Sequence, residues 1–382
     1  MYQSAASMFK NKKVLILGFG REGMSTYRFL RNMYPDMHLT IADKNEIKLD
    51  DKNVTLICGD SYMDRLNDFD IVMKSPGIAF LDVDIKDGTL VTCQTDLFLK
   101  FAPCRKVGIT GSKGKTTTST LIYDMLKEGG FDARLIGNIG VPVLEDINTV
   151  TPETIAVIEM SSHQLEFTTS SPEVAVLTNI YEEHLDHYRD GFRGYVNAKL
   201  NIVRRQKEGD TFIYNATQGL DGLCDLGKIK SHKVGVKKDA PLPFAVNNEH
   251  LLGEHNRQDI LFAFEAAKHF GVDTAAAERA VEKFSGIEHR MEKVGTFRGI
   301  TFYNDCIATI PHAVECAVEA LKNVDTLIFG GMDRGLDYSE FENYLKKSNI
   351  KNLIGTPATG HKICDKIEGA PQKNVYLSLI HI

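Results

Sequence analysis

A glycine-rich loop directly after an apolar segment carries the residues best suited to chemistry. Residues 106–109 predict a buried strand, and the loop that follows opens a helical pattern with Lys115 and Thr116. Main-chain amides of such a loop can surround a triphosphate, the Lys115 ammonium can reach its β- and γ-phosphate oxygens, and the Thr116 hydroxyl can bind Mg²⁺. The sequence therefore predicts an ATP site rather than a basic surface turn, although Ile109 stands where a strict P-loop has its first glycine. The loop comprises Gly111, Ser112, Lys113, Gly114, Lys115, Thr116 and Thr117.

Side chains that could bind a metal follow the next apolar segments. Glu159 comes directly after the predicted strand 155–158, where a carboxylate is well placed to hold a hard cation. His184 follows the next predicted strand, and Lys199 lies on a predicted helix. Taken singly, each is typical of a solvated surface residue. Because they occur together after an ATP loop, we predict that Glu159 and His184 share one cation and that Lys199 supplies a cationic or modified group nearby.

A second glycine loop lies near the N-terminus, after the apolar residues 14–17. Gly18, Gly20 and Gly23 match G-x-G-x-x-G, and Asp43 lies twenty residues beyond, at the end of the next predicted strand. The glycines permit a diphosphate to approach a helix N-terminus, and the carboxylate can bond a ribose hydroxyl. A glycine turn without a ligand and an NAD site are the alternatives, but nothing downstream resembles a hydride-transfer site.

Apolar segments alternate with helical patterns along most of the chain, which predicts parallel α/β sheets. We predict three domains: a Rossmann-like N-terminal domain (1–103), a central P-loop-type ATPase domain (104–290) and a Rossmann-like C-terminal domain (291–382). The predicted strands cover 14–17, 39–42, 54–57, 71–73, 106–109, 155–158, 174–177, 211–214 and 327–329, with a further set from Ile300, and the predicted helices include 116–127, 195–205 and 260–270.

The composition excludes several classes of protein. The 382 residues are 43% hydrophobic and 25% charged, which is typical of folded globular domains. A net charge of −6 gives no general reason to bind nucleic acid or acidic lipid, and no apolar run approaches the ~20 residues that cross a bilayer. The seven cysteines contain no CxxC pair, which favours reduced thiols. We expect a cytoplasmic monomer without nucleic-acid or membrane partners.

Taken in chain order, these motifs resemble those of the Mur ligases of peptidoglycan synthesis. Besides the ATP loop, the resemblance includes the segments 137–142 (GNIGVP), 159–166 (EMSSHQLE), 184–188 (HLDHY), 197–199 (NAK), 253–256 (GEHN), 289–290 (HR) and 304–305 (ND). It extends to about residue 340. The Ser-Lys pair inside the ATP loop and the SSxQLE segment are most similar to the branch that adds D-glutamate.

The resemblance implies an ATP-dependent ligase that adds D-glutamate to UDP-N-acetylmuramoyl-L-alanine through an acyl phosphate, with two Mg²⁺ ions. Its expected partners are therefore these small molecules and ATP. The alternatives are another Mur-type ligase, a folylpolyglutamate-type ligase, and a weakly active or non-catalytic truncated relative. The hundred residues before residue 106 favour the Mur interpretation over the folylpolyglutamate one. Closure of a mobile third domain is expected on ligand binding.

The resemblance also implies a role for individual residues. The UDP-linked substrate is expected at Gly18, Gly20, Gly23, Asp43, Ser75, Pro76, Gly77, Asn138, Ser161 and Gln164. Beyond the ATP loop, ATP is expected at Asn256, Arg290 and Asp305. Catalysis is expected from Lys115, Glu159, His184 and Lys199. Magnesium is expected at Thr116, Glu159, His184 and Lys199, the last as a carbamate that helps to fix the second ion. D-Glutamate is expected at Thr309 and Arg334.

Four features depart from the family pattern. Ile307 replaces a usual lysine, Asp259 replaces a usual asparagine beside adenine, and Arg334 replaces a usual lysine. The end of the chain (376–382) lacks the Ser-Pro-Ala-type segment that helps to bind D-glutamate. We therefore expect an incomplete third domain, through truncation, a frame error or a naturally short relative, with low stability or weak activity.

Overall fold

The computed structural model describes residues 7–139, 141–220, 222–333, 335–370 and 374–377. Within them, short strands alternate with helices, as the apolar pattern predicts. The reason is visible in the strand Val14–Leu17, whose four consecutive apolar residues are all buried. Parallel strands that are covered on both faces read as continuous apolar runs rather than alternating ones.

The first sheet contains five parallel strands in the order β3-β2-β1-β4-β5. Since β1 pairs with β2 on one side and β4 on the other, the strand order reverses at β1. In open α/β sheets, ligands bind at the carboxyl ends of strands at such a reversal, and the loop at Gly18 leaves β1 there. The elements are β1 (Val14–Leu17), α1 (Arg21–Met33), β2 (Leu39–Asp43), β3 (Val54–Cys58), the 3₁₀ turn Leu66–Asp68, β4 (Ile71–Lys74), β5 (Leu90–Thr92) and α2 (Gln94–Phe101).

The second sheet contains six parallel strands in the order β11-β10-β9-β6-β8-β7. Ile109 of β6 is in register with Glu159 of β8, and Thr110 is in register with Leu177 of β9. The loops after these three strands therefore emerge together at one edge of the sheet. The elements are β6 (Arg105–Thr110), α3 (Lys115–Glu128), β7 (Ala133–Gly137), β8 (Ile155–Glu159), α4 (Ser162–Leu165), β9 (Val174–Leu177), the 3₁₀ turn Leu185–His187, α5 (Gly191–Arg204), β10 (Thr211–Asn215), the 3₁₀ turn Leu226–Lys228 and β11 (His232–Val236).

The rest of the chain combines an antiparallel hairpin with a small parallel sheet, β14-β15-β16. The hairpin adds a strand before the one expected from Ile300. Arg298 and Gly299 form its two-residue turn with φ of 52° and 80°, the left-handed pair that suits the strand twist. The elements are α6 (Gly253–His269), α7 (Thr274–Lys283), β12 (Glu292–Phe297), β13 (Ile300–Asn304), α8 (Pro311–Leu321), β14 (Thr326–Gly330), α9 (Ser339–Lys347), β15 (Asn352–Thr356), α10 (Thr359–Ile367) and β16 (Asn374–Tyr376).

The chain forms two compact units. The first comprises residues 1–247 and 258–284 and holds both large sheets, while the second comprises residues 248–257 and 285–382. The division into domains at residues 103 and 290 stays a prediction. Among the described residues, no helix combines the length and the apolar character that crossing a bilayer requires.

Candidate active site

The ATP loop folds around the end of its own lysine side chain. Lys115, the first residue of α3, donates hydrogen bonds to the carbonyl oxygens of Gly111 and Ser112 at 2.9 and 3.0 Å. Gly111 has φ of 154°, and a Cβ atom there would overlap the Thr178 hydroxyl. Glycine is therefore required at this position, and the loop already curves around the ammonium group that would meet phosphate oxygens.

Residues after β9 hold the loop from outside. The Asn179 side chain accepts a hydrogen bond from the Lys113 amide at 2.8 Å and donates one to the Lys113 carbonyl at 3.0 Å. Thr178 donates to the same carbonyl at 2.6 Å. The Lys113 ammonium forms an ion pair with the largely buried Glu183 at 3.0 Å. Sequence reasoning gave these supporting residues no role, although their position at a strand end beside the loop was the available signal.

Ser112 directs its side chain into the protein. Its hydroxyl lies 2.7 Å from the Tyr195 hydroxyl, accepts a hydrogen bond from the Tyr181 amide and donates one to the Tyr181 carbonyl. With only 3% of the residue exposed, this side chain is committed to the loop's support. Any contact from Ser112 to ATP would therefore come from its main chain, whereas Thr116 at the start of α3 is partly exposed.

Lys199 lies beneath the ATP loop, on α5. Its Nζ atom donates to the Gly111 carbonyl at 2.8 Å, so this oxygen accepts bonds from both Lys199 and Lys115. The Tyr195 ring centroid lies 4.6 Å from the same nitrogen. Burial, together with the nearby Lys115 charge, lowers the pKa of Lys199 well below its usual value. A neutral amine at this position is a nucleophile, so modification of Lys199 is chemically reasonable.

Glu159 ends β8 and is 1% exposed. Its Oε1 accepts a hydrogen bond from the Asn138 side chain at 2.7 Å, whereas its Oε2 is buried without a hydrogen-bond partner. A buried carboxylate oxygen without a partner is costly and suits a hard cation. Asn138 therefore orients this carboxylate, and its expected contact with the UDP-linked substrate stays a prediction.

His184 adopts the left-handed conformation, with φ of 56°, before the 3₁₀ turn Leu185–His187. Its ring meets the His163 ring edge-on at 4.8 Å, and His163 stacks on His187 at 3.8 Å. In the part of the chain that the structure describes, no group of three or more His, Cys, Asp or Glu side chains is arranged to hold a metal. The sharing of one cation by Glu159 and His184 therefore stays a prediction.

The first glycine loop is closed by its neighbours in the first sheet. Gly18 has φ of 85°, and its carbonyl accepts a hydrogen bond from the Ser75 hydroxyl at 3.0 Å. A Cβ atom at Gly23 would overlap this carbonyl, so only glycine fits at the third position of α1. Asp43 accepts a 2.6 Å bond from the Phe19 amide, so its carboxylate holds the loop in addition to any ligand contact. Gly20 and the segment 75–77 lie at the same end of the sheet.

The segment after β8 begins with a capping box. The Ser161 hydroxyl accepts a bond from the Gln164 amide, and the Gln164 side chain accepts one from the Ser161 amide at 3.0 Å. The Gln164 amide group also donates to the Glu22 carboxylate of α1 at 2.9 Å. The structure thus brings Gln164 next to the first glycine loop.

The second unit holds the other residues expected near ATP. Asn256 is buried and donates to the Leu252 carbonyl at 2.7 Å. Asp305 follows β13 and accepts a bond from the Met291 amide at 3.0 Å, while Arg290 has a buried Nε atom without a hydrogen-bond partner. Thr309 lies between β13 and α8. Arg334, expected at D-glutamate, lies outside the described residues.

Both family models that match this chain describe Mur ligases. The Mur ligase middle domain matches residues 109–264, and the MurD-like N-terminal domain of Mur ligases matches residues 12–91. These matches include both glycine loops and most of the two large sheets. The chain belongs to the Mur ligase family.

Within this family, the chain is similar to relatives that share one name. The UDP-N-acetylmuramoylalanine--D-glutamate ligase of Clostridium kluyveri is 33% identical, over 97% of this chain and 86% of the relative. The enzyme of the same name from Ligilactobacillus salivarius is 34% identical, over 88% and 80%. Among solved structures, the MurF ligase of Thermotoga maritima in complex with ADP has a TM-score of 0.61 at 16% identity, over 96% of this chain and 86% of that one. At this identity, it supports the fold alone.

Proposed function

We propose that the protein is an ATP-dependent ligase that joins D-glutamate to UDP-N-acetylmuramoyl-L-alanine in peptidoglycan precursor synthesis. Relatives that are 33–34% identical over most of their length carry this activity in their names. The single observation that carries the proposal is the convergence of Lys115, Lys199 and the buried Glu159 at one edge of the second sheet. Since ATP is available in the cytoplasm, we place the reaction there.

The chemistry begins from a carboxylate, which is a poor electrophile. An oxygen of the alanine carboxylate attacks the γ-phosphorus of ATP, the bond to the β-phosphate oxygen breaks, and ADP leaves. The amine of D-glutamate then attacks the carbonyl carbon of this acyl phosphate. After the amine loses a proton, the tetrahedral intermediate expels phosphate and leaves the amide. Lys115 would exchange its two carbonyl partners for phosphate oxygens and stabilise the charge that gathers on them.

Lys199 would act as a carbamate. The neutral amine that burial favours attacks the carbon of CO₂, and loss of a proton leaves a carbamate anion. This change would place an anion close to the Lys115 ammonium, since both side chains lie at the Gly111 carbonyl. Lys115 and the carbamate would then attract each other.

Magnesium fits the oxygen atoms that the chain offers. Glu159 and His184 would hold one Mg²⁺ ion, and Lys199, as a carbamate, would help to fix a second. The Thr116 hydroxyl would bind magnesium beside the ATP phosphates. The Glu159 Oε2 atom, buried without a hydrogen-bond partner, supports this assignment. When bound, Mg²⁺ would neutralise phosphoryl oxygens during transfer. Asn138 orients the Glu159 carboxylate through its 2.7 Å hydrogen bond.

The remaining ligand-binding residues belong partly to the first unit and partly to the second. The UDP end of the substrate would bind at the first glycine loop and the segment 75–77, and Ser161 and Gln164 would contact its muramoyl-alanine end, which carries the reacting carboxylate. Asn256, Arg290 and Asp305 would contact ATP, and Thr309 and Arg334 would contact D-glutamate. The buried Nε atom of Arg290, which lacks a hydrogen-bond partner, supports an anionic ligand at that side chain.

Release of inorganic phosphate tests this function. We expect release only when ATP, UDP-N-acetylmuramoyl-L-alanine and D-glutamate are all present, together with formation of the corresponding UDP-linked dipeptide. L-Glutamate in place of D-glutamate should give neither product. Turnover of a folate with L-glutamate, in the absence of the UDP-linked substrate, would instead favour a folylpolyglutamate-type ligase and contradict the proposal.

A further inference from the structure

A buried lysine without a role in the proposed chemistry joins the two large sheets. Lys74 is the last residue of β4, and its ammonium lies 3.0 Å from Oε2 of Glu166, just beyond α4. The rings of Phe80 and Phe167 lie 5.5 and 5.3 Å from the same nitrogen. Burial lowers the pKa of Lys74, while the Glu166 charge opposes this effect. A buried ion pair is stable only when each of its charged groups has close partners that compensate for the loss of water.

The carboxylate of this pair has a second partner. His187 Nε2 lies 3.3 Å from the same Oε2 atom of Glu166. Burial alone would raise the pKa of Glu166, but the His187 hydrogen bond and the Lys74 charge hold it below its usual value. Glu166 therefore links three segments: the end of β4, the segment after β8 and the 3₁₀ turn after His184.

Two of these three segments, the end of β4 and the segment after β8, also adjoin a residue expected to bind the UDP-linked substrate. Lys74 directly precedes Ser75, which bonds the Gly18 carbonyl of the first glycine loop. Glu166 lies two residues after Gln164, which bonds Glu22 in α1. A further bond, from the Thr169 amide to Asp96 at 2.7 Å, joins the segment after β8 to α2, the helix that follows the first sheet.

We propose that Lys74 and Glu166 form a lock that fixes the distance between the loop binding the UDP end of the substrate and the segment binding its reacting end. The inference rests on the proposed function. A ligand held at two places binds tightly only when the spacing of the two places matches its own span. Since the Lys74 ammonium is already surrounded by Glu166 and two rings, Lys74 acts as a positioning residue rather than as a ligand contact.

Two ligands of different length distinguish this role from a general effect on folding. UDP would contact only the first glycine loop and the segment 75–77. UDP-N-acetylmuramoyl-L-alanine must also reach the segment after β8. We expect K74M to weaken binding of the full substrate by about tenfold or more in titration calorimetry, while UDP affinity changes by less than about twofold. K12M is the matched control, because Lys12 belongs to an exposed ion pair with Asp70, 3.7 Å apart, and should alter neither affinity.

The partner residue gives a second, independent comparison. E166Q keeps the volume of the side chain but removes its charge, so it should reproduce the selective loss even if K74M does not fold. In the double variant K74M/E166Q, the loss should be smaller than the sum of the two single losses, because both substitutions break the same Lys74–Glu166 contact.

The outcomes separate the two proposals. If the unaltered protein binds UDP and the full substrate, and the variants weaken both equally or neither, the lock is wrong and the proposed function stands. If the unaltered protein does not bind the full substrate, the proposed function is wrong, and the lock is wrong with it.

Discussion

At the scale of single residues, the Gly111 carbonyl oxygen accepts hydrogen bonds from two lysine side chains, Lys115 at 2.9 Å and Lys199 at 2.8 Å. Burial and the nearby Lys115 charge both lower the pKa of Lys199, which favours its neutral amine. The sequence predicted both lysines as functional. It did not predict that the two side chains meet. They are 84 positions apart in the sequence, and only the packing of α5 against the ATP loop brings them together.

Lys115 provides the most direct test at this scale. K115M should lower kcat/KM for phosphate release by at least about 100-fold, because the ammonium that stabilises charge on the phosphoryl oxygens is lost. Steady-state release of phosphate measures the effect. K127M, a change of an exposed lysine in the last turn of the same helix, should leave turnover unchanged. Equal rates for K115M and the unaltered protein would contradict the assigned ATP site.

The buried His163 predicts a dependence of stability on pH. Burial, with the neighbouring His187 and His184, lowers the pKa of His163 to about 3. The unfolded chain binds this proton below pH ~6.5 and the folded chain does not until about 3, so stability falls as pH falls through that window. H163F keeps the aromatic ring and removes the titration. On acidification from pH 7 to pH 5, the unaltered protein should lose this contribution and H163F should not. The free energy of unfolding of H163F minus that of the unaltered protein should therefore increase by up to about 2 kcal/mol.

Denaturant unfolding at the two pH values measures this difference. A difference between H163F and the unaltered protein that stays constant across the two pH values would show that His163 is not the responsible group. A difference that decreases on acidification would reverse the sign of the argument and contradict it.

At the scale of elements, the buried parallel strands were predictable because each is a short apolar run between turns. Val14–Leu17 and Val174–Leu177 have the predicted bounds. Strands with polar or exposed positions escaped the pattern, among them Ala133–Gly137 and His232–Val236. The pattern also could not show that the Asn138 side chain holds Glu159 or that Asp43 holds the first glycine loop, since these contacts depend on how separate loops pack.

The two ends of α3 provide a matched pair of glycines. Gly114 and Gly130 both have φ of 82°, but a Cβ atom at Gly114 would lie 2.5 Å from Asp259 Oδ1, whereas nothing lies within 4 Å of one at Gly130. G130A should therefore cost only the strain of the left-handed conformation, about 1 kcal/mol. G114A should cost more and should also weaken ATP binding, because the ATP loop must shift away from Asp259.

Denaturant unfolding and ATP titration of both variants measure these effects. Similar losses of stability in G114A and G130A, with unchanged ATP affinity, would show that contact with Asp259 does not shape the loop.

At the scale of the whole molecule, the expected ligand contacts divide between the two units. All residues expected to bind the UDP-linked substrate belong to the first unit, as do the ATP loop and Lys199, whereas Asn256, Arg290, Asp305 and Thr309 belong to the second. The core of the second unit is separate and includes the fully buried Leu345. Units with their own cores can unfold in separate steps.

We therefore expect two transitions in scanning calorimetry, of which UDP-N-acetylmuramoyl-L-alanine raises only the one belonging to the first unit. A ligand at 100 times its Kd adds about 2.7 kcal/mol, which corresponds to roughly 5 °C for a unit of this size. L345A identifies the other transition, because removing a buried leucine side chain should lower only the melting temperature of the second unit. A single transition would show that the two units unfold together. Two transitions that this ligand shifts equally would show that the substrate contacts are not confined to the first unit.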